Sequence, residues 1–418
     1  MQKLIVNGGL PLNGTVEVMS AKNSVLPLLC ACILTDECVV IHKCPHITDV
    51  DNMLSILEGL GVSIKREGSD IIVRADTLHS CTIPTHLASK LRSSIFLLGP
   101  IIARLGCGVV AYPGGCDIGL RPIDIHIKGL RELGIEIEEV DGHIVCDGCN
   151  THAGEILLDL PSVGATENLM MASVFIEGRT ILRNVAKEPE IVDLQDFLVS
   201  MGANIHGAGS SEIVIEGVAR LHGTEYTPIP DRIVAGTYLI AGAICGGDIE
   251  LNRVKYEHIY SLISKLSKTT CNITYKNGRI RLRSTGNLRG VDKIETMYYP
   301  GFPTDLQSQM MALLTVCRGT SVIVENIFET RFNEVPELVR MGANIIVRGN
   351  TAIVHGVDTL HGTCVHATDL RGGAGLVLAG LRADGITTID RVCHIDRGYE
   401  SIEESFCSLG ADIKRIEY

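Results

Sequence analysis

The stretch PGGCDIGLRPIDIH, Pro113 to His126, concentrates the residue types that do chemistry. Cys116 follows two glycines, and Arg121 stands five residues on. A thiol at the tip of a glycine-rich loop is expected to be exposed, and at a reference pKa of about 8.5 it stays mostly protonated at neutral pH. It can then donate a proton, or attack as a nucleophile once ionised. Arg121 favours the thiolate and Asp117 opposes it, so the pKa stays open, and a plain surface cysteine in a turn is the competing reading. A second set is cationic: Lys22 in SAKNS, Arg92 in KLRSSIF, Arg331 in ETRFNE, Arg371 behind Asp369 in DLRGG, and Arg397 in HIDRGYE. Basic residues usually sit at helix C-termini. At N-termini, beside free backbone N–H groups, they point to anion sites. A third candidate is Asp305 in YPGFPTDLQ, either a helix cap or a carboxylate base.

Two patterns look like chemistry and are read otherwise. His143, Cys146, Cys149 and His152 have three-residue spacing suggestive of zinc, but Cys146 falls on a strand core position of the repeat described below, and strand alternation separates the four. No metal is expected. LRGGAG lacks the Lys-Ser/Thr of a phosphate loop and no GxGxxG is present, so no nucleotide or dinucleotide cofactor is expected.

These residues hang on a repeat. L-x-x-x-G-x-x-I occurs as LEGLGVSI (from Leu57), LRELGIEI (Leu130), LVSMGANI (Leu198), LVRMGANI (Leu338) and, headed by Phe406, FCSLGADI; LSKTTCNI (Leu266) keeps the frame with Thr270 in place of the glycine. The spacings run from 68 to 73 residues, too regular for chance. Each copy reads as a helix end, a left-handed glycine and a strand. In the first five copies a second strand follows, near Ile71, Ile144, Ile213, Ile280 and Ala352. Upstream of each copy lie a largely apolar helix and a strand. The helices are expected at Ser24–Leu34, Ser93–Ala103, Ala165–Phe175, Ile233–Ile244, Leu306–Thr315 and Gly375–Leu381. The unit is βαβαββ, six in all. Helices this apolar must be buried nearly all round, which places them inside and the sheets outside.

The expected fold is therefore an α/β (α+β) two-domain inside-out barrel of six βαβαββ repeats, three per domain. The first domain is 21–229, with a mobile Cys116 loop. The second is 1–20 plus 230–418, the opening strand completing the sheet of the last repeat. The hinge is expected at Thr224 to Arg232, and the active site in the cleft between the domains.

Composition narrows the function. A net charge of -12 and 4% aromatics without Trp argue against nucleic-acid and anionic-membrane binders. The opening MQKLIVNGG lacks a signal-peptide pattern, the apolar runs are too short for a span, and fifteen cysteines fit a reducing compartment, so a soluble cytoplasmic protein is expected.

With LPSVGATENLMMA (Leu160 to Ala172), YPGFPTDLQ, DLRGGAG, HIDRGYE, SAKNS and PGGCDIGLRP taken together, the chain resembles the UDP-N-acetylglucosamine 1-carboxyvinyltransferase family of enolpyruvyl transferases from about Lys3 to Ile413. That resemblance implies transfer of the enolpyruvyl group of phosphoenolpyruvate to the 3′-hydroxyl of UDP-N-acetylglucosamine with release of phosphate, in peptidoglycan synthesis, without cofactor. It implies that Cys116 is the proton donor and adduct-forming thiol, open to fosfomycin. It makes Asp305 the base on the sugar hydroxyl, and gives Lys22, Arg121 and Arg397 the phosphoenolpyruvate, with Asn23 close by. Nucleotide-sugar contacts then fall on Arg92, Arg121, Pro122, Ile123, Asp124, Ile125, His126, Leu160, Pro161, Ser162, Val163, Thr304, Asp305 and Ile327. Gly164, Phe328, Arg331, Asp369 and Arg371 take supporting places. Two departures stand out: Leu160 can contribute only backbone or packing, and GGAG is unusually flexible for a helix start.

Overall fold

The computed structural model describes residues 2–112 and 123–417; Cys116, Arg121 and Pro122 lie outside them. The chain divides into two compact lobes. The first holds residues 20–112 and 123–229, the second residues 2–19 and 230–417.

The repeat governs each lobe. Its glycines, Gly61, Gly134, Gly202, Gly342 and Gly410, all adopt φ between 82° and 98°, the left-handed turn from helix into strand. Thr270 makes the same turn at φ 74° despite its branched Cβ. Its hydroxyl donates to Thr269 O and, at 3.2 Å, to Asn287 O.

Apolar helices form the centre of each lobe. All twelve residues from Ile233 to Ile244 in the helix Arg232–Cys245 are buried, as are Gln307 to Leu314 and Arg371 to Leu381. In the first lobe Lys22–Ala31, Leu98–Leu105 and Val163–Ser173 do the same. The glycines after Arg371 are not a loose helix start. They lie in a regular helix, Leu370–Arg382, capped by Asp369, and a Cβ on Gly375 would come within 2.9 Å of the Ser308 backbone. Small residues here let two inner helices pack backbone to backbone.

Among the described residues six small sheets cover these helices, five of four strands and one of three, the last extended by a single bridge between Thr82 and Val109. In the last repeat Ile386–Asp390 pairs in parallel with Cys364–His366 and antiparallel with Gln2–Asn7, which pairs with Asp412–Glu417. The N-terminal strand thus completes the final repeat. Two further connections were not legible beforehand. Leu12–Glu17 runs parallel to Gly247–Asn252 and opens the fourth repeat. Glu225–Tyr226, inside the expected hinge, runs parallel to Val39–Ile41 and opens the first. The segment from Thr224 to Arg232 is thus partly a sheet strand.

Candidate active site

In the second lobe the inner helices present their N-terminal ends with charged residues on them. Asp305 is the middle residue of the turn Thr304–Leu306, whose cap position is Pro303, so it is not the helix cap that its sequence position suggested. Its Oδ1 accepts from Arg331 Nη2 at 2.8 Å and its Oδ2 from Arg371 Nη2 at 3.0 Å. Both guanidiniums are almost fully buried, at 3% and 4% side-chain exposure, while Asp305 keeps 26%. A carboxylate gripped by two buried cations while still a quarter exposed has a fixed orientation.

Arg371 is charged inside a protein core, at a helix N-terminus where the dipole disfavours it. Burial works against its charge, but Asp305, then Tyr399 and Asp231, more than offset this, and its pKa is raised. Its guanidinium also lies 5.7 Å from the Tyr399 ring centroid, and Nη1 donates to Tyr399 Oη at 3.4 Å. Tyr399 Oη is further tied to Gln309 at 3.1 Å and Thr237 at 2.9 Å. Asp369 accepts from the backbone N–H groups of Arg371 and Gly372 at 2.9 and 3.1 Å and so supports the site by capping its helix. Half-buried Arg397 sits in a turn fixed on both sides, by Tyr399 and by Asp396, which Arg415 grips through both oxygens.

Thr304, Ile327 and Phe328 are brought together by a residue that the sequence reading missed. Glu325, 2% exposed, accepts from Thr304 Oγ1 at 2.9 Å, Thr296 Oγ1 at 2.9 Å, Ile327 N at 2.8 Å and Phe328 N at 3.1 Å. Its only advance sign was its place just past the strand Thr320–Val324, which a surface carboxylate would share. Arg331 lies 5.5 Å from the Phe328 ring centroid.

In the first lobe Lys22 is the first residue of its helix, with Asn23 half-buried beside it. Its Nζ bonds Asp49 Oδ2 at 3.1 Å, and Asp49 is 2% exposed. Arg92 opens the turn Arg92–Leu97. Near it His126 stacks on Phe96 at 6.3 Å and shares a 3.2 Å hydrogen bond with Asn168 Nδ2. Burial, helped by Arg92, lowers the His126 pKa to about 3, so the ring is neutral and serves as an acceptor for Asn168. Gly164 must be glycine, since a Cβ there would meet the Phe96 ring at 2.6 Å and His126 at 3.2 Å. Ser162 caps the helix Val163–Ser173 by accepting from Ala165 N at 3.3 Å. Pro161, Ser162 and Val163 are half-buried and Leu160 is exposed. Lys128 bonds both oxygens of Asp159 at 2.8 Å, tying the helix Asp124–Glu132 to the segment that leads into Leu160. Ile123 is buried, Ile125 half-buried and Asp124 exposed.

Of the decoy set, Cys146 is a buried strand residue opposite Gly108 and Ile137. No cluster that could hold a metal occurs among the described residues, and their cysteines are all unpaired thiols.

Residues 6–406 match the family model described as EPSP synthase (3-phosphoshikimate 1-carboxyvinyltransferase). UDP-N-acetylglucosamine 1-carboxyvinyltransferase 2 of Caldanaerobacter subterraneus is 53% identical over 416 residues, with 100% of both chains covered. The chain belongs to the UDP-N-acetylglucosamine 1-carboxyvinyltransferases, a branch of the enolpyruvyl transferase family. Other relatives bearing that enzyme's name include those of Rhodospirillum centenum and Magnetococcus marinus, each 46% identical with at least 99% of either chain covered. Among solved structures, the enolpyruvyl transferase NikO from Streptomyces tendae matches at a TM-score of 0.89 and 24% identity over 99% of this chain and 98% of its own. An EPSP synthase from Acinetobacter baumannii matches at 0.77 and 18%, with both chains fully covered. These two likenesses establish the fold, an α/β architecture of the kind that the repeats predicted. No described helix is long and apolar enough to cross a membrane.

Proposed function

We propose that this protein transfers the enolpyruvyl group of phosphoenolpyruvate to the 3′-hydroxyl of UDP-N-acetylglucosamine, releasing phosphate, in peptidoglycan synthesis. The observation that carries the chemistry is a partly exposed Asp305 clamped between the buried Arg331 and Arg371. The acceptor is assigned from the full-length relatives, which bear that enzyme's name.

In this reading Asp305 takes the proton of the sugar hydroxyl as oxygen attacks C2 of phosphoenolpyruvate, and the Cys116 thiol gives a proton to C3. Phosphate then leaves as the C2–O bond to it breaks and C3 returns a proton. The two arginines hold Asp305 at one angle before and during the step. Lys22, Arg121 and Arg397 bind the carboxylate and phosphate of phosphoenolpyruvate, charge-assisted contacts of the kind that dominate anion sites. Arg92, Thr304, Ile327, Phe328 and the segments 121–126 and 160–164 contact the nucleotide sugar. Glu325 holds Thr304 and the 327–328 backbone in register for it. No metal or organic cofactor is needed for addition and elimination at an enol ester. Cys116 is also the expected point of attack of the epoxide fosfomycin, and the free thiols among the described residues suit a cytoplasmic setting.

A phosphate-release assay tests this. Phosphate appears with UDP-N-acetylglucosamine and phosphoenolpyruvate together, and fosfomycin or thiol alkylation stops it. Release with shikimate 3-phosphate and not with the UDP-sugar would assign the acceptor of the sister enzyme instead. Binding of the UDP-sugar by calorimetry without any release would mark a regulator that kept the fold and lost the reaction.

A further inference from the structure

Two buried polar groups in one turn of the second lobe each lack what the other could supply. Arg331 uses Nη2 on Asp305, but its Nε meets no acceptor. Three residues on, Glu334 is fully buried and neither carboxyl oxygen meets a donor at bonding geometry. Buried groups left in this state are rare in folded proteins and each asks for a reason. Glu334 also lies against the capped end of the helix Leu370–Arg382, where a Cβ on Gly372 would fall 3.3 Å from Glu334 Cβ and 2.8 Å from Asp369 Oδ2. The groups that face it are Asp369 from the segment before that helix, the Ser308 hydroxyl from the helix Gln307–Leu314, and Arg331 from its own turn. Burial, then the Asp369 charge, push its carboxyl up to about 7, while its own backbone, Ser308 and Arg331 pull the other way. At neutral pH the site therefore stands between two charge states.

We infer that Glu334 is a positioning residue that decides which carboxylate Arg331 serves. Neutral, it leaves Arg331 on Asp305; ionised, it draws the unpartnered Nε edge toward itself. In the first state both buried guanidiniums serve Asp305. In the second Arg331 is shared between Asp305 and Glu334, and Asp305 loses part of its fixed orientation. The reaction then senses the charge on Glu334 although Glu334 touches no reacting atom. This inference rests on the reading of Asp305 as the base.

Glu334→Gln keeps the neutral shape at every pH. In phosphate-release kinetics across the neutral range, the ratio of kcat at about pH 6 to that at about pH 8 is expected to be roughly fivefold larger in the unaltered enzyme than in Glu334→Gln, a coupling of ordinary size for neighbouring groups. The KM for phosphoenolpyruvate is expected to move little between the two. Superimposable pH profiles would overturn the inference. Thermal unfolding gives a second readout. A carboxyl whose pKa is raised on folding stabilises the native state below the ordinary glutamate range, and that contribution is lost as pH rises through about 7. The melting temperature of Glu334→Gln should therefore gain on the unaltered protein across that window, and a constant difference would count against a neutral Glu334. If Glu334→Gln does not fold, Glu334→Asp is used instead, and an alkaline limb that fails to move counts equally against it. Asp305→Asn separates the two levels: full activity there removes the base and this inference with it. Lost activity there, with Glu334→Gln following the unaltered profile, leaves the base and removes only Glu334.

Discussion

The two lobes share one repeat and one packing plan, yet they are charged in opposite ways where the inner helices begin. In the second lobe a carboxylate stands forward, backed by two buried arginines, with Glu334 behind them titrating near neutrality. In the first lobe the corresponding groups are Lys22 and Arg92, and the buried titratable groups include a neutral imidazole, His126, lodged between Phe96 and Asn168, and the Glu167 carboxyl, which burial pushes well up. A scaffold of helices packed through small residues tolerates either arrangement, because the charges sit on the ends of the helices and leave the apolar packing untouched. In the proposed reading the second lobe supplies the base, while the anion-binding cations come from both lobes, Lys22 from the first and Arg397 from the second.

The sharpest way to break this comparison is Cys116→Ala, which removes the proposed proton donor contributed by the first half of the chain. Turnover should vanish while calorimetric binding of UDP-N-acetylglucosamine persists; undiminished phosphate release would end the assignment. Asp305→Asn tests the other lobe, with kcat expected to fall by about 10²–10⁴, the usual worth of a positioned base. A loss confined to KM would make Asp305 a binding group.

The opposite electrostatics should also appear as opposite pH sensitivities. His126 has a folded-state pKa of about 3 against an ordinary 6.5, so the stability tied to its neutral form is present above 6.5 and is lost as pH falls toward 3. His126→Gln should flatten the acid side of a melting-temperature profile, just as Glu334→Gln flattens the neutral side; an unchanged acid slope would remove His126 from the account. The smallest expected effect concerns the repeat itself. Thr270→Gly relieves a left-handed conformation that costs a residue with a Cβ roughly 1–2 kcal/mol. The loss of two hydroxyl hydrogen bonds offsets part of that gain. A net stabilisation of about 1 kcal/mol, read by denaturant unfolding, is expected. Destabilisation would show that the hydroxyl contacts outweigh the strain.

Much of the architecture was legible because it rests on local rules repeated six times. A glycine at a fixed place in the motif marks a helix end in five of the six copies, and the left-handed angles at Gly61, Gly134, Gly202, Gly342 and Gly410 bear that out. Even the strand before the first repeat could be assigned to the last, since the final copy lacked its second strand. The exchange of Leu12–Glu17 into the fourth repeat and Glu225–Tyr226 into the first could not be read. A two-residue strand has no periodicity, and its partner is chosen by a vacant sheet edge far away in sequence. At the site, Arg331, Arg371 and Asp305 were named from residue type and position and again from the family resemblance, but the convergence of both arginines on Asp305 was not visible. Asp49, Glu325 and Glu334 went unnoticed, because a carboxylate near the end of a strand or the start of a helix looks the same in sequence whether it is solvated or buried.

What the sequence determined by itself is the repeat, the burial of its apolar helices and the inventory of cations and thiols, since each follows from periodicity and residue type over a few turns of chain. What only the tertiary structure decided is which charges meet. The 2.8 and 3.0 Å contacts on Asp305 join residues 26 and 66 positions away, and the pKa values of His126 and Glu334 are set by groups on other elements. Electrostatic energy depends on distance and on the exclusion of water, and both are properties of the packed molecule.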